Sequence, residues 1–173
     1  MMKLSNNIIR LRAPELSDLD MLYKWENDEK IWYLSNTLTP FSRFDLEQFI
    51  INNNHDIFTE KQFRYVIENK DDTSIVGCID LFDFDAYNGR AGIGILIDEE
   101  YRKKGLASEA LDVIIDYAFH HLNLHQLYCN ILSSNTESLN LFKKKHFSEI
   151  GVKKDWVFLQ GKYHDEIILQ LIH

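Results

Sequence analysis

Six consecutive residues, Arg102-Lys103-Lys104-Gly105-Leu106-Ala107, set three cations and a glycine between an apolar run that ends at Asp98 and a stretch of helical periodicity. The first amides of a helix have no internal acceptor, and the helix dipole adds partial positive charge at the same end. A basic turn leading into a helix is therefore a ready anion site, and Gly105 lets a phosphate approach the backbone. The same residues also suit a solvated basic turn. No Gly-Lys-Ser/Thr follows, so the segment is not a Walker loop, and its single glycine is not a dinucleotide fingerprint.

Upstream, Asp80, Asp83 and Asp85 crowd the end of another apolar run. Carboxylates placed there can anchor an ammonium or take its proton, or simply be solvated. Asp80 and Asp83 are three apart, so an unbroken strand would turn them to opposite faces. His121 and His125 are four apart but straddle an expected helix end, with neither a companion glutamate nor a third ligand, so no metal site is expected. Cys78 and Cys129 sit in apolar runs and read as small buried hydrophobes.

The elements that position these groups follow from periodicity. Residues 8–12 alternate and stop at Ala13-Pro14, as a strand does. Helices are expected over 17–25, with Ser17 as its cap, and over 43–52. Strands follow over 64–69, 74–84 and 90–98. A long apolar stripe (Leu106, Ala110, Leu111, Ile114, Ala118 and Phe119 among it) predicts a helix over 105–122. A strand over 126–132, a helix over 134–145 and a hairpin pairing 156–159 with 166–172 complete the chain. Strands 74–84 and 90–98 are close enough to pair antiparallel; the helix between 90–98 and 126–132 allows a parallel crossover. The order implies a mixed sheet covered by helices, an α/β or α+β domain.

At 173 residues and 45% hydrophobic content, the chain reads as a single domain over 1–173. Its 19 Lys and Arg against 27 Asp and Glu give a net charge of −8. That field repels nucleic-acid phosphates and attracts cations. No stretch reaches membrane-span length and no secretory h-region opens the chain. Neither nucleic acid nor membrane is expected as a partner, and the cytoplasm is the expected location.

The stretch 93–110 resembles motif A of the GNAT acetyltransferase superfamily, and 133–147 (Ser133-Ser134-Asn135-Thr136-Glu137-Ser138 onward to Phe147) resembles motif B. Leu11-Arg12 with Asp18, and the closing hairpin with Tyr163 and Asp165, are similar to the branch of ribosomal-protein-alanine and spermidine acetyltransferases. The resemblance implies a GNAT-type fold: a mixed, mostly antiparallel sheet with a parallel central strand pair and helices on both faces. It implies acetyl-CoA as co-substrate and acetyl transfer to a primary amine, such as the polyamine spermidine. An amino-sugar or a protein N-terminus is the alternative acceptor. The family is often dimeric.

Carried over by position, Ile95, Leu96 and Ile97 would offer backbone groups to the pantetheine arm. Arg102, Lys103, Lys104, Gly105, Leu106, Ala107 and Ser108 would wrap the pyrophosphate. Asn135 would bond the pantetheine or adenosine end, and Ser138, Phe142 and Lys144 would flank the cofactor tail. The amide near Leu96 would be the oxyanion donor. A bulge at Gly92 and Gly94 would splay the parallel pair, since glycine within a strand marks a bulge or a close backbone approach. Two common catalytic groups are missing: Phe142 stands where many relatives have a tyrosine acid, and Gly92 where many have a glutamate. Asp80, which aligns with a glutamate lining the amine site of spermidine enzymes, or Asp83 would then be the amine anchor or base. Trp32 and Tyr33 would wall the acceptor cleft. The missing groups also keep open a non-catalytic acyl-CoA-binding module.

Overall fold

The computed structural model describes residues 4–35, 37–52 and 56–173. In chain order the elements are β1 (Ile9–Arg12), α1 (Leu19–Glu26), α2 (Trp32–Ser35), α3 (Arg43–Ile51), α4 (Ile57–Glu60), β2 (Phe63–Asn69), β3 (Ile75–Asp85), β4 (Arg90–Ile97), α5 (Leu106–His120), β5 (Gln126–Leu132), α6 (Thr136–Lys144), β6 (Ser148–Leu159) and β7 (Lys162–Ile172). The chain packs as two compact units. One holds β1 and everything from α4 onward; the other holds α1, α2 and α3.

In the helical unit, α1 begins later than expected and Ser17 does not cap it. A 3-10 turn over Leu16–Asp18 precedes it, and the buried Asp18 accepts the Glu15 amide at 2.8 Å. Asp18 rather than Ser17 closes that end because its longer side chain reaches back three residues, as in a capping box. α3 starts at a box of the same kind, with Ser42 accepting from the Asp45 amide.

In the larger unit, the described strands form one seven-stranded sheet in the order β1-β2-β3-β4-β5-β7-β6. β4 and β5 run parallel and the other neighbours antiparallel, with helices flanking. The mixed α/β fold expected from the element order is thus present. The closing hairpin is longer than its apolar signal, because β6 starts at Ser148 in a mostly exposed stretch where alternation is weak.

Side-chain alternation sorts the sheet into two faces. Ile79, Leu81, Ala91, Ile93, Leu127 and Leu169 join the buried cluster that also contains Leu106, Ala110, Leu111, Ile114 and Ala118 of α5 and Leu139 and Phe142 of α6. Leu111 and Ile114 are fully enclosed, and truncating either to alanine would cost about 2–5 kcal/mol. Asp80, Phe82, Gly92, Gly94, Tyr128 and Gln170 alternate onto the opposite face.

α6 ends on His146, in the left-handed conformation at φ 67. That is the conformation glycine adopts at helix ends, so the end survives without glycine, at a strain of about 1–2 kcal/mol.

Candidate active site

The loop between β4 and α5 is built backbone first. Asp98, buried, accepts the Glu100 amide and begins a 3-10 turn over Glu99–Tyr101. Arg102 then folds back so that its Nε donates to Ile97 O at 3.1 Å. Lys103 (φ 62) and Gly105 (φ 81) both adopt left-handed backbone. Such alternation of backbone hand forms concave anion-binding nests. Gly105 is the N-cap residue of α5 and offers no side-chain acceptor, so the leading amides of a 15-residue helix are uncapped. A Cβ at Gly105 would meet nothing within 4 Å; the glycine answers to φ and to open space above the amides. Lys104 Nζ lies 5.1 Å from the Tyr101 ring centre, and Lys103 Nζ lies 3.8 Å from Glu137 at the start of α6. The two resembling motifs are therefore adjacent.

β4 and β5 pair only from Arg90↔Gln126 to Gly92↔Tyr128, while β5 goes on pairing with β7 as far as Leu132↔Glu166. Past Gly92 the parallel strands part, so one edge of β4 has no ladder partner. Which residues own that edge follows from two bonds. The Asp98 amide donates to Val76 O on β3 at 2.9 Å, and Ile97 O faces the other way, toward Arg102. Alternation then turns the Ile95 and Ile97 backbone groups to the open edge and those of Leu96 to β3. Leu96 O would lie 2.0 Å from a Cβ at Gly77 on β3. This corrects the expectation for Leu96: its amide is committed to the β3 ladder, and the donors facing the gap belong to Ile95 and Ile97.

The expected bulge also moves. β4 is regular across Gly92 and Gly94; the irregularity lies on β3, between Phe82 and Asp85. Asp83, at φ 48, takes the strained position. The close approach at Gly92 comes from the Phe82 ring, 2.2 Å from where a Cβ would stand.

The bulge separates the aspartates. Asp80 is held by Arg64 through two bonds, Nε to Oδ1 at 2.8 Å and Nη2 to Oδ2 at 2.9 Å, with both side chains largely covered. A carboxylate gripped on both oxygens by a guanidinium is poorly placed to take a proton or hold a second cation, which corrects the reading of Asp80 as base or amine anchor. Asp83 is exposed, and its Oδ2 accepts the Tyr128 hydroxyl at 3.0 Å. Burial, then the bond to Asp83, pushes the Tyr128 phenol up to about 12. Tyr128 also meets Phe82 edge-on at 5.9 Å.

Sequence reasoning missed Tyr128. Its signal was the alternation Leu127-Tyr128-Cys129-Asn130, which puts a polar-tipped aromatic on the face away from the core. Asp83 and Tyr128, with Arg90, Gln126, Ile168 and Gln170, line a cleft of about 760 Å³.

The remaining expected residues separate. Asn135 caps α6 by accepting the Ser138 amide at 3.2 Å, so these two come together. Lys144 is exposed near the far end of the helix. Phe142 is corrected: it is 3% exposed and packs edge-on against Phe147 at 5.1 Å, a core residue that cannot flank a bound tail. Trp32 and Tyr33 belong to the helical unit, where Trp32 Nε1 donates to Glu26 O at 2.8 Å. Among the described residues no helix is long and apolar enough to cross a membrane.

Residues 9–148 match the family model described as an acetyltransferase (GNAT) domain. An uncharacterized N-acetyltransferase p20 of Bacillus licheniformis is 30% identical over 165 residues, covering 95% of this chain and 92% of the relative. A spermidine N(1)-acetyltransferase of Vibrio cholerae is 28% identical over 164 residues, covering 92% and 90%. The crystal structure of a spermidine N-acetyltransferase from Vibrio cholerae, in complex with CoA and spermine, superposes with a TM-score of 0.87 at 26% identity, covering 96% of each chain.

Proposed function

The chain belongs to the GNAT acetyltransferase family, and on that premise we propose that it transfers the acetyl group of acetyl-CoA to a primary amine, with Asp83 rather than Asp80 serving the amine. The observation that carries this reading is the uncapped, left-handed Gly105 loop opening α5 beside the point where β4 and β5 part. Diphosphate charge suits the loop amides from Lys103 to Ser108, with Lys104 adding charge, and the amide-bearing pantetheine arm suits the unpaired Ile95 and Ile97 edge. Asn135 and Ser138 border the same side through the Lys103–Glu137 contact.

Bound there, acetyl-CoA supplies an acetyl thioester whose carbonyl carbon an uncharged amine attacks, with release of the thiol. An alkylammonium, with a pKa of about 10, must first lose a proton. Asp83 is exposed to the cleft and accepts that proton, directly or through one water. Tyr128 holds the carboxylate in place. The Ile95 or Ile97 amide faces the gap and is the donor available to a developing oxyanion.

The relatives named spermidine acetyltransferases, together with the net charge of −8, support a polyamine acceptor; the charges inside the cleft suit a different amine. Mixing the protein with acetyl-CoA and an amine panel, and following free thiol, tests the reading. Thiol release that depends on an added amine is expected. Tight acetyl-CoA binding with no release on any amine would mark an acyl-CoA-binding module.

A further inference from the structure

We infer that the acceptor is a primary amine whose body carries an anionic group, a phosphate or a carboxylate, and that Lys61 selects it. The inference rests on the transferase reading above.

It starts from the charges lining the cleft, which are Lys61, Asp83, Asp85 and Arg90. They sum to zero in a chain of net charge −8. Most are already matched. Arg90 Nη2 lies 3.2 Å from Asp85, Asp85 also accepts from Asn88, and Asp83 accepts from Tyr128. Lys61 is the exception: its ammonium has no ion-pair partner among the described residues.

Its backbone is nonetheless fixed, and the exposed side chain reaches out from there. Lys61 sits past the end of α4 at φ 53, its amide donates to Ile57 O, and its carbonyl accepts the Phe84 amide at 2.9 Å. Phe84 is the second residue of the bulge that holds Asp83. The backbone thus roots a lysine beside the bulge that carries the exposed carboxylate, and the two side chains form no ion pair with each other. Opposite charges held apart in one cleft match a ligand bearing both signs. A polyamine meets the reverse: its further ammonium groups face Lys61 and find no carboxylate but Asp83, because Asp85 is already paired with Arg90. Specificity of this kind comes as much from the repelled ligand as from the bound one. Gln126 and Gln170, bonded to each other across the floor, and the apolar Ile168 suit a short polar body.

The experiment compares kcat/KM, by thiol release from acetyl-CoA, for glucosamine 6-phosphate, glucosamine, glutamate and spermidine. It uses the wild type, Lys61→Glu and Lys61→Gln, with circular dichroism confirming that each variant is folded. An anionic amine should lead spermidine in the wild type; the phosphate and carboxylate arms tell which anion is preferred. Lys61→Glu should move the anionic-to-spermidine ratio by about fivefold or more toward spermidine, as reversing a partly exposed charge does, with Lys61→Gln between. A wild-type preference for spermidine, or a ratio that neither variant moves, overturns the inference and leaves the transferase standing. Absence of thiol release on every amine removes both.

Discussion

The ring of Phe82 lies so close over Gly92 that a Cβ at residue 92 would stand 2.2 Å from Phe82 Cε2. β3 and β4 pair these two residues directly. The place where many relatives carry a glutamate is therefore filled by an aromatic ring from the neighbouring strand. Gly92→Ala should destabilise the fold by about 1–3 kcal/mol, the usual cost of overpacking. Phe82→Ala should make Gly92→Ala nearly neutral in the double variant. Urea midpoints for the four proteins give the coupling; simple additivity would mean that the ring does not occupy this space.

Asp80 and Asp83 should behave as different kinds of residue. Asp80→Asn leaves the largely covered Arg64 without its charge partner, so stability should fall by about 1–3 kcal/mol. Asp83→Asn should barely change stability, because Asp83 is exposed, yet it should lower kcat by about a hundredfold if Asp83 takes the amine proton. Denaturation and turnover measured on the same preparations separate the two. A catalytic loss confined to Asp80→Asn would return the base to that residue.

The loop makes a distinct demand. Gly105→Asp forces a side chain into left-handed backbone at φ 81 and adds a negative charge above the α5 amides. Acetyl-CoA affinity, measured by titration calorimetry, should fall by more than about tenfold, since both the amides and the dipole are masked. Thermal stability should fall only by the left-handed strain, about 1–2 kcal/mol, because no atom beyond the chain neighbours lies within 4 Å of the new Cβ. Unchanged affinity would mean the pyrophosphate sits elsewhere.

Much of this site was legible in the residues. The basic turn, its glycine and the helical stripe after it occupy consecutive positions, so local chemistry alone marks them. The parallel pair followed from a crossover helix of sufficient length. What was not legible depends on neighbours distant in sequence. The grip of Arg64 on Asp80 is set by the β2–β3 register, and the bulge at Asp83 by a backbone conformation that aspartate adopts rarely. Leu96 was misread because strand alternation fixes which amides face the gap only once the partner of one amide is known. Phe142 and Tyr128 differ by which face of their element meets the core; the resemblance drew attention to Phe142, which faces the core, and Tyr128, on the opposite face, was missed.

Tyr128 gives a pH signature. Its phenol is raised from 10.0 to about 12 by burial and by Asp83, so the native state holds this proton while the unfolded chain loses it. The group's contribution to stability is full below pH 10 and is lost as pH rises through about 12, because there the unfolded state binds fewer protons. Burial raises Tyr65 in the same direction, so the wild type alone cannot isolate the effect. Tyr128→Phe should show a shallower loss of stability between pH 10 and 12 than the wild type in pH-dependent denaturation. Identical slopes would show that Tyr128 titrates normally.

The most direct measurement is a crystal structure with acetyl-CoA bound. It should show the pyrophosphate on the amides from Lys103 to Ser108, the pantetheine arm bonded to Ile95 and Ile97 where β4 and β5 part, and the thioester opening toward the face that carries Asp83 and Tyr128. Acetyl-CoA lying away from that gap, or a thioester facing the α5 side of the sheet, would contradict the account.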